Sequence, residues 1–167
     1  MFIFRPLSKR DLQFLNEIRN DCAEEYLHDS RKFTLDQTEE WFSKTNPDFY
    51  IIEFKSTDIG YFRVSQHSES NKNLYIGADI HKHFRGKKLA YPAYVEFISF
   101  LFEKYHLNKV SLEVLSTNTR AYNLYNKLGF KQEGIKRQEV YKKGIFVDSI
   151  LMSILKEEFY GSILESK

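Results

Sequence analysis

LYIGADIHKHFRGKKLAYPAYVEFISF, residues 74–100, changes its hydrophobic period twice. Leu74, Ile76 and Ala78 alternate with Tyr75, Gly77 and Asp79, the pattern of a strand. Between His81 and Lys88 the alternation dissolves into a basic turn, and from Leu89 large apolar residues recur at helical spacing through Val95, Ile98, Leu101 and Phe102. The stretch therefore reads as strand, basic turn, helix. A helix N-terminus gathers backbone N–H groups without intrahelical partners at the positive end of the dipole, and Arg85, Lys87 and Lys88 add side-chain charge, so the turn suits a di-anionic phosphate. Pro92 has no N–H to lose only in a first turn, which places the helix start near Lys88. The turn carries neither the G-x-x-x-x-G-K-[ST] of a P-loop nor the G-x-G-x-x-G of a dinucleotide fold.

Composition bounds the rest. At 167 residues and 20.0 kDa the chain suits one compact domain, residues 1–167, with a single core. A formal charge of +2 from 25 basic and 23 acidic residues gives no strongly basic field, so nucleic acid is not an expected partner. The cluster Lys82–Lys88 is the exception, and a solvated loop or an RNA contact are its rival readings. Cys22 is the only cysteine, which rules out an intrachain disulfide or a multi-cysteine zinc site and fits a reduced cytoplasmic setting. Spaced helically from Ile18, it reads as core. The N-terminal MFIFRPLSKRD is too short an apolar run for a secretory signal, and no stretch approaches the ~20 apolar residues of a membrane span. The five histidines show no paired ligand spacing, so no metal is expected.

In chain order, Phe2–Arg5 reads as a strand ended by Pro6, and Ser8 with Asp11 as a capped start for a helix striped by Leu12, Leu15, Ile18 and Cys22 to about Tyr26. Thr34 with Gln37 three residues on is a capping-box pattern, opening a helix that carries Trp41 and Phe42. Strands follow at Phe49–Phe54 and Ile59–Val64 and lead into the central strand. After the long helix, ending near Tyr105, come a strand at Lys109–Leu115, a helix at Asn118–Leu128 closed by Gly129, and a hairpin turning at Lys142-Lys143-Gly144 with its last strand at Phe146–Leu155. Residues beyond Phe159 are expected to fray. The order β-α-α-β-β-β-α-β-α-β-β is an α/β domain with a mixed, mostly antiparallel seven-stranded sheet.

Arg85-Gly86-Lys87-Lys88-Leu89-Ala90 resembles the R/Q-x-x-G-x-G/A pyrophosphate loop of the GNAT acyltransferases, with Lys88 where the first glycine is usual. Ser111–Phe130, SLEVLSTNTRAYNLYNKLGF, resembles the second signature of that family, L-x-V-x-x-x-N-x-x-A-x-x-L-Y-x-x-x-G-F, at Leu112, Val114, Asn118, Ala121, Leu124, Tyr125, Gly129 and Phe130. The resemblance covers about residues 2–155. It implies the GNAT fold, with helices on both faces of a sheet splayed between strands 4 and 5, and acetyl-CoA as acyl donor without a metal. It also implies backbone contacts to the pantetheine around Ile80, His81 and Lys82, and direct attack of a free amine on the thioester. A monomer or homodimer and a small-molecule amine acceptor are expected.

An attacking amine must shed a proton and a departing thiolate benefits from gaining one, so an acid and a base are both useful, each typically worth ~10²- to 10⁴-fold in rate. Tyr125 matches the family's general acid, and a phenol of ordinary pKa about 10 holds its proton at neutral pH. Glu113 matches a glutamate that is the base in some N-terminal amine acetyltransferases; Asp79 and His81 on the preceding strand are rival bases, with Glu53 and His28 behind them. The acceptor side falls to the N-terminal third. There Arg19, Asn20, Ser30, Thr34 and Trp41-Phe42 resemble a pattern in acetyltransferases of nucleotide-linked amino sugars, whereas Arg137–Met152 resembles the ribosomal-protein N-terminal acetyltransferases. The favoured acceptor is a small polar amine such as an amino sugar; a protein N-terminus and a non-catalytic acyl-CoA-binding domain are the alternatives.

Overall fold

A computed structural model describes residues 1–165. Its elements are β1 (Phe2–Pro6), a 3-10 turn (Lys9–Asp11), α1 (Leu12–Cys22), α2 (Leu35–Thr45), β2 (Phe49–Phe54), β3 (Thr57–Ser68), β4 (Asn73–Ile80), a second 3-10 turn (Lys82–Phe84), α3 (Ala90–Lys104), β5 (Lys109–Leu115), α4 (Thr119–Lys127), β6 (Lys131–Lys142), β7 (Ile145–Leu155) and α5 (Lys156–Glu165). The strands form one seven-stranded sheet in the order β1-β2-β3-β4-β5-β7-β6. β1–β2, β2–β3, β5–β7 and β6–β7 pair antiparallel, and β4–β5 pair parallel, the mixed and mostly antiparallel sheet that the sequence predicts. The β4–β5 ladder is short. It joins Asn73, Leu74 and Tyr75 to Lys109, Val110 and Ser111 and is not continued toward Ile80 and Leu115.

The chain divides into two compact units. The first is Met1–Val64 with Gly77–Ala93. The predicted stripe Leu12, Leu15, Ile18 and Cys22 of α1 is buried in one cluster with Ile51 of β2 and Tyr61 of β3, and Trp41 and Phe42 of α2 close its edge. Each large side chain so buried contributes about 1.5–3 kcal/mol. The capping box opens α2 as predicted: Gln37 N–H donates to Thr34 Oγ1 at 3.2 Å, and Thr34 N–H to Gln37 Oε1 at 2.9 Å. At the chain start, Asp11 is buried and accepts two hydrogen bonds from Arg5, each 2.9 Å, while Arg5 also reaches Asp58 at 2.6 Å.

The second unit is Ser65–Ile76 with the chain from Tyr94 onward. Phe97, Ile98, Leu101 and Phe102 of α3 are buried, as are Val110, Leu112 and Val114 of β5 and Met152 and Ile154 of β7. The expectation of fraying beyond Phe159 is corrected: Lys156–Glu165 is helical, with Phe159 1% exposed and its ring 5.5 Å from that of Phe102. Residues 166 and 167 lie outside the described residues. The helix start expected near Lys88 is also corrected. Lys88 has φ +60°, left-handed backbone that no α-helix contains, so α3 begins at Ala90, with Pro92 still in the first turn.

Candidate active site

The basic turn follows β4 directly. Lys82, His83, Lys87 and Lys88 are exposed, and Gly86 and Lys88 both have positive φ, +79° and +60°. Left-handed backbone at positions of a turn is the conformation in which successive N–H groups can line an anion site, and here a lysine takes up one such position where glycine is usual. Leu89 accepts from Ala93 N–H at 3.2 Å, and Ala90 opens the helix. Arg85 does not reach outward. Its guanidinium pairs with Asp21 at 2.7 Å, donates to Cys22 Sγ at 3.0 Å, and donates through Nε to the Ile80 carbonyl at 2.8 Å. Two backbone groups of the expected pantetheine stretch are thus engaged internally, since His81 N–H donates to Ile59 O at 2.9 Å as well. Gly60 lets β3 and β4 meet there: a Cβ on it would lie 2.4 Å from the Asp79 carbonyl.

In the second unit, Asn118 caps α4 as predicted, its Oδ1 accepting from Ala121 N–H at 3.2 Å. Ala121 is half-buried, and Tyr125 lies one turn further on the same face, 8% exposed. The Tyr125 hydroxyl is 3.1 Å from that of Tyr94 on α3, with the rings edge to face at 5.6 Å. Tyr94 is missed by sequence reasoning because among 26 Tyr and Phe residues nothing marks it. Glu113 on β5 is tied to two residues also absent from the sequence reading: Lys136 Nζ donates to its Oε1 at 2.6 Å and Ser149 Oγ to its Oε2 at 3.1 Å. The Glu113 hydrogen bond raises the Lys136 ammonium above its ordinary value.

The rival bases are more enclosed. Asp79 is 5% exposed; its Oδ2 lies 3.5 Å from Arg63 Nη2. Burial, then the Asp79 charge, pushes the nearby Tyr61 phenol well above its ordinary value. His81 stacks on Phe14 at 5.8 Å, its Nδ1 accepts from His83 N–H at 3.3 Å, and its Nε2 faces Glu17 at 3.4 Å. Accepting at Nδ1 leaves the ring proton on Nε2, so neither nitrogen of the neutral ring offers a spare lone pair. Burial first, then Asp79, pushes the Cys22 thiol up to about 12, in keeping with a core role.

On the expected acceptor side, Arg19 donates to the Arg31 carbonyl at 2.5 Å and lies over the Phe33 ring at 4.4 Å. Asn20 brackets Phe33, donating to its carbonyl at 2.8 Å and accepting from its N–H at 3.0 Å. Both hold the 27–34 loop against α1. Trp41 packs on Phe49 at 5.4 Å, and Ser30 is exposed on that loop. Among the described residues no group of three His, Cys, Asp or Glu could hold a metal ion, and no helix is long and apolar enough to cross a membrane.

A mixed sheet whose fourth strand feeds a basic turn and helix, followed by a capped helix bearing a buried tyrosine, is the arrangement that the resemblance to the GNAT acyltransferases implies. The chain matches the acetyltransferase (GNAT) domain over residues 2–131. The uncharacterised N-acetyltransferase p20 of Bacillus licheniformis is 32% identical over 114 residues, 67% of this chain and 64% of that protein, so the match spans just under two thirds of the relative's length. Spermidine N(1)-acetyltransferase of Vibrio cholerae is 24% identical over 161 residues, 93% of each chain. The crystal structure of the Vibrio cholerae spermidine N-acetyltransferase with CoA and spermine superposes with a TM-score of 0.89 at 22% identity, covering 95% of this chain and 98% of that one. This chain belongs to the GNAT acetyltransferase family, whose members take their acyl group from acetyl-CoA.

Proposed function

We propose that this chain is an acetyl-CoA-dependent N-acetyltransferase, a single catalytic domain over residues 1–167 working in the cytoplasm, whose acceptor is a primary amine of a small aliphatic polycation. The reading rests on the buried Tyr125 hydroxyl, presented by a helix capped at Asn118 and partnered by Tyr94. The acceptor nitrogen attacks the thioester carbonyl carbon, the C–S bond breaks, the nitrogen sheds a proton, and Tyr125 supplies one to the departing thiolate. Among Glu113, Asp79 and His81 we assign the leaving proton to Glu113. Its side chain is 20% exposed against 4% for Asp79 and 12% for His81, so it is the most open to an incoming amine.

The charge of the N-terminal third favours a polycation over the nucleotide-linked amino sugar that the sequence pattern suggests. Residues 12–48 carry nine carboxylates against four lysines and arginines. A sugar nucleotide brings its own negative phosphates into that field, whereas a polyamine is drawn by it. The similar Vibrio cholerae protein is a spermidine acetyltransferase, which agrees. Arg19 and Asn20, the opening pair of the sugar-like pattern, are occupied by the 27–34 loop. The test incubates purified protein and acetyl-CoA with spermidine, a nucleotide-linked amino sugar or an N-terminal peptide, and reads free thiol. Turnover with spermidine is expected. Turnover with the sugar or peptide alone overturns the acceptor assignment, and absence of acetyl-CoA binding in calorimetry overturns the enzyme.

A further inference from the structure

We infer that Arg85, the opening residue of the pyrophosphate-loop pattern, is a positioning residue that locks α1 to the coenzyme turn and is not itself a phosphate ligand. The guanidinium is held on three sides within one compact unit. Nη2 meets Asp21 Oδ2 at 2.7 Å and Cys22 Sγ at 3.0 Å, Nε meets the Ile80 carbonyl at 2.8 Å, and its carbon lies 5.6 Å from the centre of the Tyr26 ring. Its side chain is 24% exposed, whereas Lys87 and Lys88 are exposed on the same turn. To reach a phosphate, Arg85 would have to abandon an ion pair and leave the Ile80 carbonyl unmatched. Its planar fork suits this three-way tie, which a lysine's single ammonium could not reproduce.

Phosphate charge is then met by Lys87, Lys88 and the N–H groups of the turn. The tie sets where the end of α1 stands relative to that turn, so it governs acceptor placement. This rests on the acetyltransferase reading, and the test separates the two. Cys22 is the only cysteine and is 2% exposed, so its labelling by a small maleimide reports the tie without any turnover. In the full chain, Arg85→Gln and Asp21→Asn are each expected to speed Cys22 labelling by about tenfold or more through local opening, and Lys87→Gln to leave it unchanged. With spermidine, both tie variants raise the acceptor KM about tenfold while acetyl-CoA Kd stays within about threefold; Lys87→Gln does the reverse. Arg85→Lys fails to restore the wild-type values.

The inference is overturned if Arg85→Gln weakens acetyl-CoA tenfold with labelling unchanged and Asp21→Asn silent. Should Arg85→Gln not fold, Asp21→Asn decides alone, because a phosphate-binding Arg85 would be indifferent to it in both labelling and acceptor KM. A wild type that binds no acetyl-CoA sinks the enzyme reading and leaves the labelling result to stand or fall by itself.

Discussion

Lys88 holds a backbone conformation that costs a non-glycine residue about 1–2 kcal/mol, at φ +60°. The loop's glycine preference is therefore a backbone requirement, which this chain meets with a strained lysine that adds charge. Lys88→Gly relieves the strain and loses a cation, so thermal stability should hold or rise by up to about 1 kcal/mol while acetyl-CoA affinity falls by less than tenfold. A larger loss in calorimetry would make the Lys88 side chain a direct phosphate ligand. Tyr125→Phe keeps the ring and its packing on Phe130 and removes the hydroxyl shared with Tyr94. Acetyl-CoA binding should persist while kcat falls ~10- to 10³-fold; an unchanged kcat removes Tyr125 as the acid. At this scale the sequence was informative where neighbours are local. Asn118 capping Ala121 is legible at a spacing of three, whereas Cys22 lies 63 residues from Arg85, and Lys136 and Ser149 lie 23 and 36 residues from Glu113, and such pairings leave no local signal.

Among the elements, those with clear periods were legible: the α1 stripe, the capped α2, and the strands of β2, β4 and β5. α5 was not, because KEEFYGSILE carries a mid-helix glycine and owes its order to Phe159 against Phe102, a tertiary contact. Its start does have a local device, since Glu158 accepts from the Leu155 N–H at 3.1 Å. The join between β1 and the following 3-10 turn is tied by charge. Burial alone would raise the Asp11 carboxyl, but hydrogen bonds from Arg5 and Ser8 outweigh it and hold Asp11 below its ordinary value. With the folded value depressed, this stabilisation is complete above the unfolded carboxyl's pKa of about 4 and is lost as pH falls below it. Asp11→Ala should cost about 2–3 kcal/mol at pH 7, because it leaves the half-buried Arg5 with Asp58 alone, and the deficit should shrink on acidification. Denaturant melts of both proteins at pH 7 and pH 3 measure this, and an equal deficit at the two values would mean that Asp11 acts by packing.

Over the whole molecule, the formal charge of +2 conceals a partition. Residues 12–48 hold nine carboxylates and four cations, whereas the turn from Lys82 to Lys88 holds four cations and no carboxylate. Fields of this kind reach about one Debye length, ~8 Å at physiological salt and ~30 Å at 0.01 M, so the partition is felt by a reactant before contact. The proposed reactants are matched to it, an anionic coenzyme and a cationic amine. If steering by the acidic segment sets acceptor capture, kcat/KM for spermidine should fall steeply between about 0.02 and 0.5 M salt. A monoamine acceptor carries one charge instead of three and should show a much shallower slope. Glu24 and Glu39 are exposed, on the chain after α1 and on α2 respectively. Neutralising both as Glu24→Gln/Glu39→Gln should lower kcat/KM for spermidine roughly two- to fivefold at low salt, leave the monoamine and the melting temperature unchanged, and have little effect at 0.5 M. Equal salt slopes for the two amines would place recognition in short-range contacts around Glu113, and the acidic segment would then be a solvated surface without a part in acceptor choice.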